Sequence, residues 1–392
     1  MSTSPRPPRG HRRSAPASSS TPRRTAPRPG STWPARRTRR CPPHCWRASW
    51  PGTGSVPDVD LTSGHFLGLR PAAVAGGPLT TGRPAVVGEP PSHTQLALRL
   101  AQTVGAADAV LSRTSFHALL DAIATRPAGA VVLVDEAIYP VGRWAAAAAT
   151  AEGGTVRTFR HQDVRDVRRL TRQARGPVVV VTDGLCGSCL RPAPLAALAD
   201  LAADRNGHLV VDDSLAAGVG PGGAGTADWL TTAPERMLWV ASLAKGYAAP
   251  VAAAAGPADL VALVRSEGPT RMHSSPASAC DVDALRQGLA DPTVPGRRTR
   301  LAAHVARIRS HLERLGLAPL GAPFAVICTE GGRRDPLDLQ RRLAMCGVRA
   351  LATRGRCTGR PTLTLCLRAD LTSADLDRLE DALSWAAGGQ AA

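Results

Sequence analysis

The chain has 392 residues, 43% hydrophobic and 3% aromatic, with nine cysteines and a formal charge of +17. That length supports a large core and two to three domains and is too great for a disulfide miniprotein, while an odd number of scattered cysteines points to a reduced, cytoplasmic compartment. Twelve arginines and no acid lie in residues 1–50, so residues 51–392 carry only +5; nucleic acid is excluded as a partner of the folded part, and no apolar run is long enough for a membrane span.

Residues 1–56 are rich in Pro, Arg, Ser and Thr, lack apolar periodicity and read as a disordered extension. Cys41, His44 and Cys45 fall in it as CPPHC, one ligand short of a zinc site. From Val56 onward, short β-branched runs alternate with Ala/Leu-rich stretches. Strands are predicted at Ala130–Asp135, Pro177–Thr182, His208–Asp213 and Met237–Ser242, with helices near 143–152, 163–174 and 193–205. Apolar strands without a polar face imply a parallel sheet buried on both sides. Toward the C-terminus come a long helix (Val282–Leu315), a strand (Phe324–Cys328), a helix (Pro336–Met345), a strand (Thr362–Leu367) and a helix (Ser373–Ala387) behind a Thr372 or Ser373 cap. The predicted fold class is α/β: a three-layer, mostly parallel large domain over 57–284 and a smaller α+β domain over 285–392.

Of the 48 basic residues, only Lys245 is a lysine. Arginine keeps its proton, whereas lysine can lose it and act as an amine nucleophile; codon bias against lysine would leave the same count. Ligands of open α/β sheets collect at the carboxyl ends of the strands. There HLVVDD ends in Asp212 and Asp213, before the Gly-rich SLAAGVGPGGAG, and MLWVAS ends in Ser242, three residues ahead of Lys245. Standing alone, an acid at a strand end also serves as a helix cap or turn residue.

VVDDSLAAGVGPGGAG, followed 33 residues after Asp212 by ASLAKG, resembles the aspartate and Schiff-base lysine segments of fold-type I pyridoxal-phosphate (PLP) enzymes, the class I/II aminotransferase superfamily. Within it the chain is most similar to the α-oxoamine synthases. DLTSGHFLGL at 60–69, TDGLCGSCLRPAPLAAL at 182–198 and MHSSPASA at 272–279 resemble further segments of that family in the same order. The resemblance implies a homodimeric, PLP-dependent transferase that joins an amino acid to the acyl group of a thioester with decarboxylation. An aminotransferase and a degenerate non-catalytic homologue are the alternatives.

It also implies residue roles. Lys245 holds the cofactor and shuttles the Cα proton, and Asp212 keeps the pyridine nitrogen protonated. Tyr139 stands where the family stacks an aromatic ring, often His, on the cofactor. Ser112, Arg113, Thr114 and Ser115 sit at the phosphate-binding helix N-terminus, Ser242 adds a hydroxyl, and Ser274 or Ser275 reaches the phosphate across a dimer interface. A forked arginine is expected on the substrate carboxylate. Arg349, Arg354, Arg356 and Arg360 are candidates, and Arg354 lies nearest the family position. Two departures stand out: Leu215 replaces the family histidine three residues after Asp212, and Gly187 replaces a loop serine. The CGSC of Cys186 and Cys189 has no second C-x-x-C to complete four ligands, so no metal is expected.

Overall fold

The computed structural model describes residues 59–72, 79–151, 153–231 and 235–388; the extension predicted over 1–56, with its CPPHC, lies outside them. In chain order the first elements are β1 (Val59–Asp60), α1 (Pro91–Val104), β2 (Asp108–Ser112), α2 (Ser115–Ala124), β3 (Val131–Asp135), α3 (Pro140–Ala149), β4 (Thr155–Phe159) and α4 (Val164–Gln173). Then come β5 (Val178–Asp183), α5 (Leu195–Ala203), β6 (His208–Asp212), β7 (Met237–Ser242), α6 (Ala244–Tyr247), β8 (Ala252–Gly256), α7 (Ala258–Glu267) and α8 (Pro269–His273). The C-terminal part holds α9 (Ala279–Ala290), α10 (Val294–Arg314), β9 (Val326–Thr329), α11 (Pro336–Met345), β10 (Val348–Arg349), β11 (Leu351–Arg354), β12 (Pro361–Cys366) and α12 (Ser373–Ala387).

Seven strands form the main sheet in the order β2-β8-β7-β6-β5-β3-β4. β8 runs antiparallel to both of its neighbours, and the other pairs are parallel. Successive strand residues point to opposite faces, and both faces are apolar. Val132, Val134, Val179 and Val181 pack with Ala118, Leu119 and Val261 of α2 and α7, while Val131, Leu133, Val178 and Val180 pack with Val167 and Leu198 of α4 and α5. Fully burying each such valine contributes about 1.5–3 kcal/mol. This is the three-layer, mostly parallel α/β core expected from the sequence.

A second, antiparallel sheet, β11-β12-β9, packs with α10, α11 and α12 in another apolar cluster. β1 pairs in parallel with β10, which ties the start of the described chain to its C-terminal part. The Thr372 cap is present as a full capping box with Asp375.

The single long helix predicted over Val282–Leu315 is two, α9 and α10. Pro292 brings no N–H, and the Asp291 carboxylate accepts from Thr293 N (2.8 Å) and Thr293 Oγ1 (2.6 Å), a local turn that outcompetes helix. β8 escapes sequence reading because AAAAG carries no strand propensity; it is a strand because β2 and β7 flank it.

His208 opens β6 fully buried, and burial depresses its pKa from 6.5 to about 4. The unfolded chain therefore binds a proton that the native chain refuses as the pH falls from 6.5 toward 4, and native stability drops over that window. Urea midpoints at pH 7 and pH 5 check this: the native sequence should lose more stability than His208→Leu between the two, and equal losses would show that other groups govern the acid limb.

Candidate active site

The chemistry-bearing side chains gather along one edge of the main sheet. Ser112 and Ser242 both pair with Ala252, on the two sides of β8, and Asp183 pairs with Asp212 across β5 and β6. Lys245 follows on α6, its carbonyl accepting from Phe66 N at 3.1 Å. Its aliphatic stem lies against Gly64, where an added Cβ would sit 3.5 Å from Lys245 Cγ. Gly246 is needed for a close approach, since a Cβ there would lie 2.3 Å from the Ala217 carbonyl oxygen. Among the described residues, Lys245 Nζ makes no hydrogen bond or ion pair.

The two adjacent acids have different environments. Asp213 is fully buried; its Oδ2 accepts from Trp239 Nε1 (2.8 Å) and Thr226 N (2.9 Å), holding the Gly-rich loop onto β7. Burial pushes its carboxyl up to about 7. Asp212 accepts from Ser214 N at 3.0 Å through Oδ1, and its Oδ2 has no hydrogen-bond partner among the described residues. Asp213 Oδ1 also lacks a partner but is sealed in the core, so Asp212 is the less enclosed of the two acids with a spare acceptor.

Ser112 Oγ is buried without a partner. It lines a small cavity with Arg113, Arg271, Ser274 and Ser275 at the start of α2, where Thr114 Oγ1 caps the helix by accepting from His117 N at 3.3 Å. Arg113 Nε donates to Ser275 O at 2.9 Å, while the Ser275 hydroxyl is engaged by Thr80 Oγ1 at 2.9 Å. Ser242 donates its backbone N–H to Ser214 Oγ at 2.8 Å, leaving its own hydroxyl without a partner among the described residues.

Tyr139 caps α3 with its side chain 52% exposed, and its N–H donates to Asp183 Oδ2 at 3.0 Å. Burial, reinforced by the charge of Asp212, pushes the Asp183 carboxyl up to about 8. Arg356 opposes that shift: its Nη2 lies 3.3 Å from Asp183 Oδ2, its Nε donates to Ala137 O at 3.0 Å, and its guanidinium carbon sits 5.1 Å from the centre of the Tyr139 ring. Arg354 lies on exposed β11, its Nη1 donating to Gly359 O at 2.6 Å. A Cβ added to Gly187 would be 3.8 Å from both Arg356 Nη2 and Leu215 Cδ2, so Gly187 neighbours Leu215 on one hand and Arg356 on the other. The sequence reading missed Asp183, although VVVVTD ends in an acid as HLVVDD does. Arg356 stands among four candidate arginines, and loop register cannot be read from so arginine-rich a stretch.

Lys245 Nζ, Asp212 Oδ2 and Ser112 Oγ have no hydrogen-bond partners among the described residues; an amine, a carboxylate and a hydroxyl are the groups that the aldehyde, ring nitrogen and phosphate of PLP call for, so the residues present fit that cofactor. Residues 57–383 match the family model of aminotransferase class I and II. The chain is 35% identical over 241 residues to 8-amino-7-oxononanoate synthase of Anaeromyxobacter dehalogenans (strain 2CP-C), covering 59% of this chain and 58% of that protein. It is 30% identical over 318 residues to 8-amino-7-oxononanoate synthase of Halorhodospira halophila, covering 77% and 76%. The fold is similar to that of serine palmitoyltransferase from S. paucimobilis, with a TM-score of 0.69 at 17% identity over 84% of this chain and 87% of that one. The chain belongs to the aminotransferase class I and II family, the PLP-dependent enzymes of fold type I. Within that family it is an α-oxoamine synthase-like transferase.

The contrast between the two acids is testable. Asp212→Asn should leave the melting temperature near that of the native protein and cut kcat by on the order of 10²–10³, as loss of one preorganised electrostatic partner does. Asp213→Asn should instead cost about 1–3 kcal/mol of stability by disturbing a buried, hydrogen-bonded carboxyl. The reverse pattern in thermal melts and turnover would exchange the roles of the two residues.

Proposed function

We propose that the protein condenses an amino acid with the acyl group of a thioester, releasing carbon dioxide and free thiol, and that it works as a cytoplasmic homodimer. The observation that supports this reading most is the free amine of the chain's only lysine on the sheet edge that also carries Asp212 with its spare oxygen. Lys245 and Asp212 would hold PLP between them, with Tyr139 against its ring and Ser112, Arg113, Ser242 and Ser275 about its phosphate. Bound there, PLP supplies an electron sink for a bond broken at the substrate's Cα. Asp212 Oδ2 keeps a proton on the ring nitrogen, and Lys245 Nζ takes and returns the proton at Cα. Residues 57–284 form the cofactor-binding domain in this reading, and residues 285–392 the smaller domain that brings the substrate arginine. Among the described residues, no helix is long and apolar enough to cross a membrane.

Arg354 is the arginine that the family resemblance puts on the substrate carboxylate. A second assignment, Arg356, is favoured by its place over Tyr139 and against Asp183. There a guanidinium adjoins Gly187, which neighbours Leu215; these two lack the family's hydroxyl and imidazole.

The PLP-loaded protein, given a panel of amino acids with acyl thioesters and, separately, with 2-oxo acids as amino acceptors, should release carbon dioxide and thiol in equal amounts with at least one amino acid and thioester. Keto acid without thiol would make it an aminotransferase, and no product with any pair would support the degenerate alternative. Loss of the carboxylate contact should raise the amino-acid KM about ten- to hundredfold with kcat less affected. If Arg356→Ala does this and Arg354→Ala does not, the second assignment holds; the opposite result restores Arg354.

A further inference from the structure

C-x-x-C supplies two potential metal ligands in sequence, and the fold brings two more from distant stretches. Residues 185–192 form a narrow turn closed by a Leu185–Pro192 bridge, with Cys186 N donating to Arg191 O (3.1 Å) and Leu190 N to Cys186 O (2.9 Å). Leu190 takes a left-handed φ of 52°, a conformation a non-glycine residue keeps only where its surroundings impose it. Ser188 N points at Cys186 Sγ, 3.5 Å away. His161 follows β4, and Cys357 follows Arg356 in the loop between β11 and β12.

Four ligand atoms from His161, Cys186, Cys189 and Cys357 all lie within 4.8 Å of one another. Cys189 Sγ is 3.5 Å from His161 Nε2, and Cys186 Sγ is 3.8 Å from Cys357 Sγ. A tetrahedron with Zn–S of about 2.3 Å and Zn–N of about 2.0–2.1 Å has S···S edges of about 3.8 Å and S···N edges of about 3.5 Å. The two short separations are thus the edges zinc requires, while a disulfide needs its sulfurs about 2.05 Å apart. An independent observation points the same way. His161 Nδ1 lies 2.9 and 3.1 Å from the two oxygens of Asp135, a side chain only 1% exposed, which turns Nε2 toward the sulfurs. A carboxylate on the far nitrogen of a metal-binding histidine is the usual support of such a ligand.

We propose that His161 Nε2, Cys186, Cys189 and Cys357 bind one zinc ion in a closed, four-coordinate structural site. Three thiolates and an imidazole suit zinc over the hard cations, and four protein ligands leave no open position for catalysis. The ion clamps the β11–β12 loop to the ends of β3, β4 and β5, and the residue before Cys357 is Arg356. The clamp therefore fixes the guanidinium that meets Asp183 and Tyr139. That consequence rests on the reading of Arg356 given above, whereas metal content is measured without it.

The test is elemental analysis of the full-length, PLP-loaded protein purified and dialysed without chelator. One zinc per chain is expected in the native protein, and its loss in Cys357→Ser. Asp135→Asn, which leaves all four ligands, should weaken zinc binding about ten- to hundredfold. Because a cysteine variant can fail to fold, the native protein is also exchanged with cobalt(II), whose absorption should show thiolate charge transfer and intense tetrahedral bands. Zinc retained in folded Cys357→Ser would place the metal elsewhere and overturn the proposal. It is equally overturned by native protein that takes up neither metal, whether its thiols titrate as free or peptide mapping finds Cys186 in a disulfide.

Discussion

A parallel sheet covered by helices on both faces has no room for a charged side chain along its strands, so polar chemistry is confined to the strand ends. In this chain that confinement is severe. β3, β5 and β6 end in Asp135, Asp183 and Asp212, with Asp213 next in sequence, and all four carboxylates are buried. Everything else about the site follows from how those charges are accommodated.

Each acid meets a different solution. Asp135 is shared among His161 Nδ1 and the backbone amides of Ala137 and Gln162. Asp213 is absorbed into the loop by Trp239 and Thr226. Asp183 is met by the Tyr139 amide and Arg356, and still sits well above the ordinary carboxylate range because burial and the charge of Asp212 outweigh them. Asp213 Oδ1 is sealed in the core without a partner, whereas Asp212 keeps Oδ2 free of any partner among the described residues at the end of β6, beside the strand that leads to Lys245. Asp135 and Asp183 are met on both oxygens and Asp213 is closed off from any ligand by full burial, so under the proposed function Asp212 is the acid placed to meet a bound cation such as a protonated pyridine nitrogen.

The sequence made much of this legible for a physical reason. Strands buried on both faces are written as unbroken apolar runs, so AVVLVD, PVVVVT, HLVVDD and MLWVAS make the sheet legible, together with the edge on which its acids stand. A lone lysine among arginines is likewise visible without a structure. What stayed hidden depends on tertiary context. AAAAG becomes β8 only between two other strands, and the break before α10 comes from one Asp–Pro–Thr turn. The distinction between Arg354 and Arg356 is set by the hairpin that joins β11 to β12. His161 and Cys357 are 25 and 168 residues from the CGSC turn they approach, and spacing alone cannot pair them with it.

Whether Lys245 holds PLP with Asp212 beside it is decided by reduction of the PLP-loaded protein with borohydride. Peptide mapping should find one pyridoxyl group per chain, on the peptide containing Lys245, and none in Lys245→Ala treated in the same way. Label confined to the N-terminal amine, or absent from a protein that binds PLP, would contradict the account.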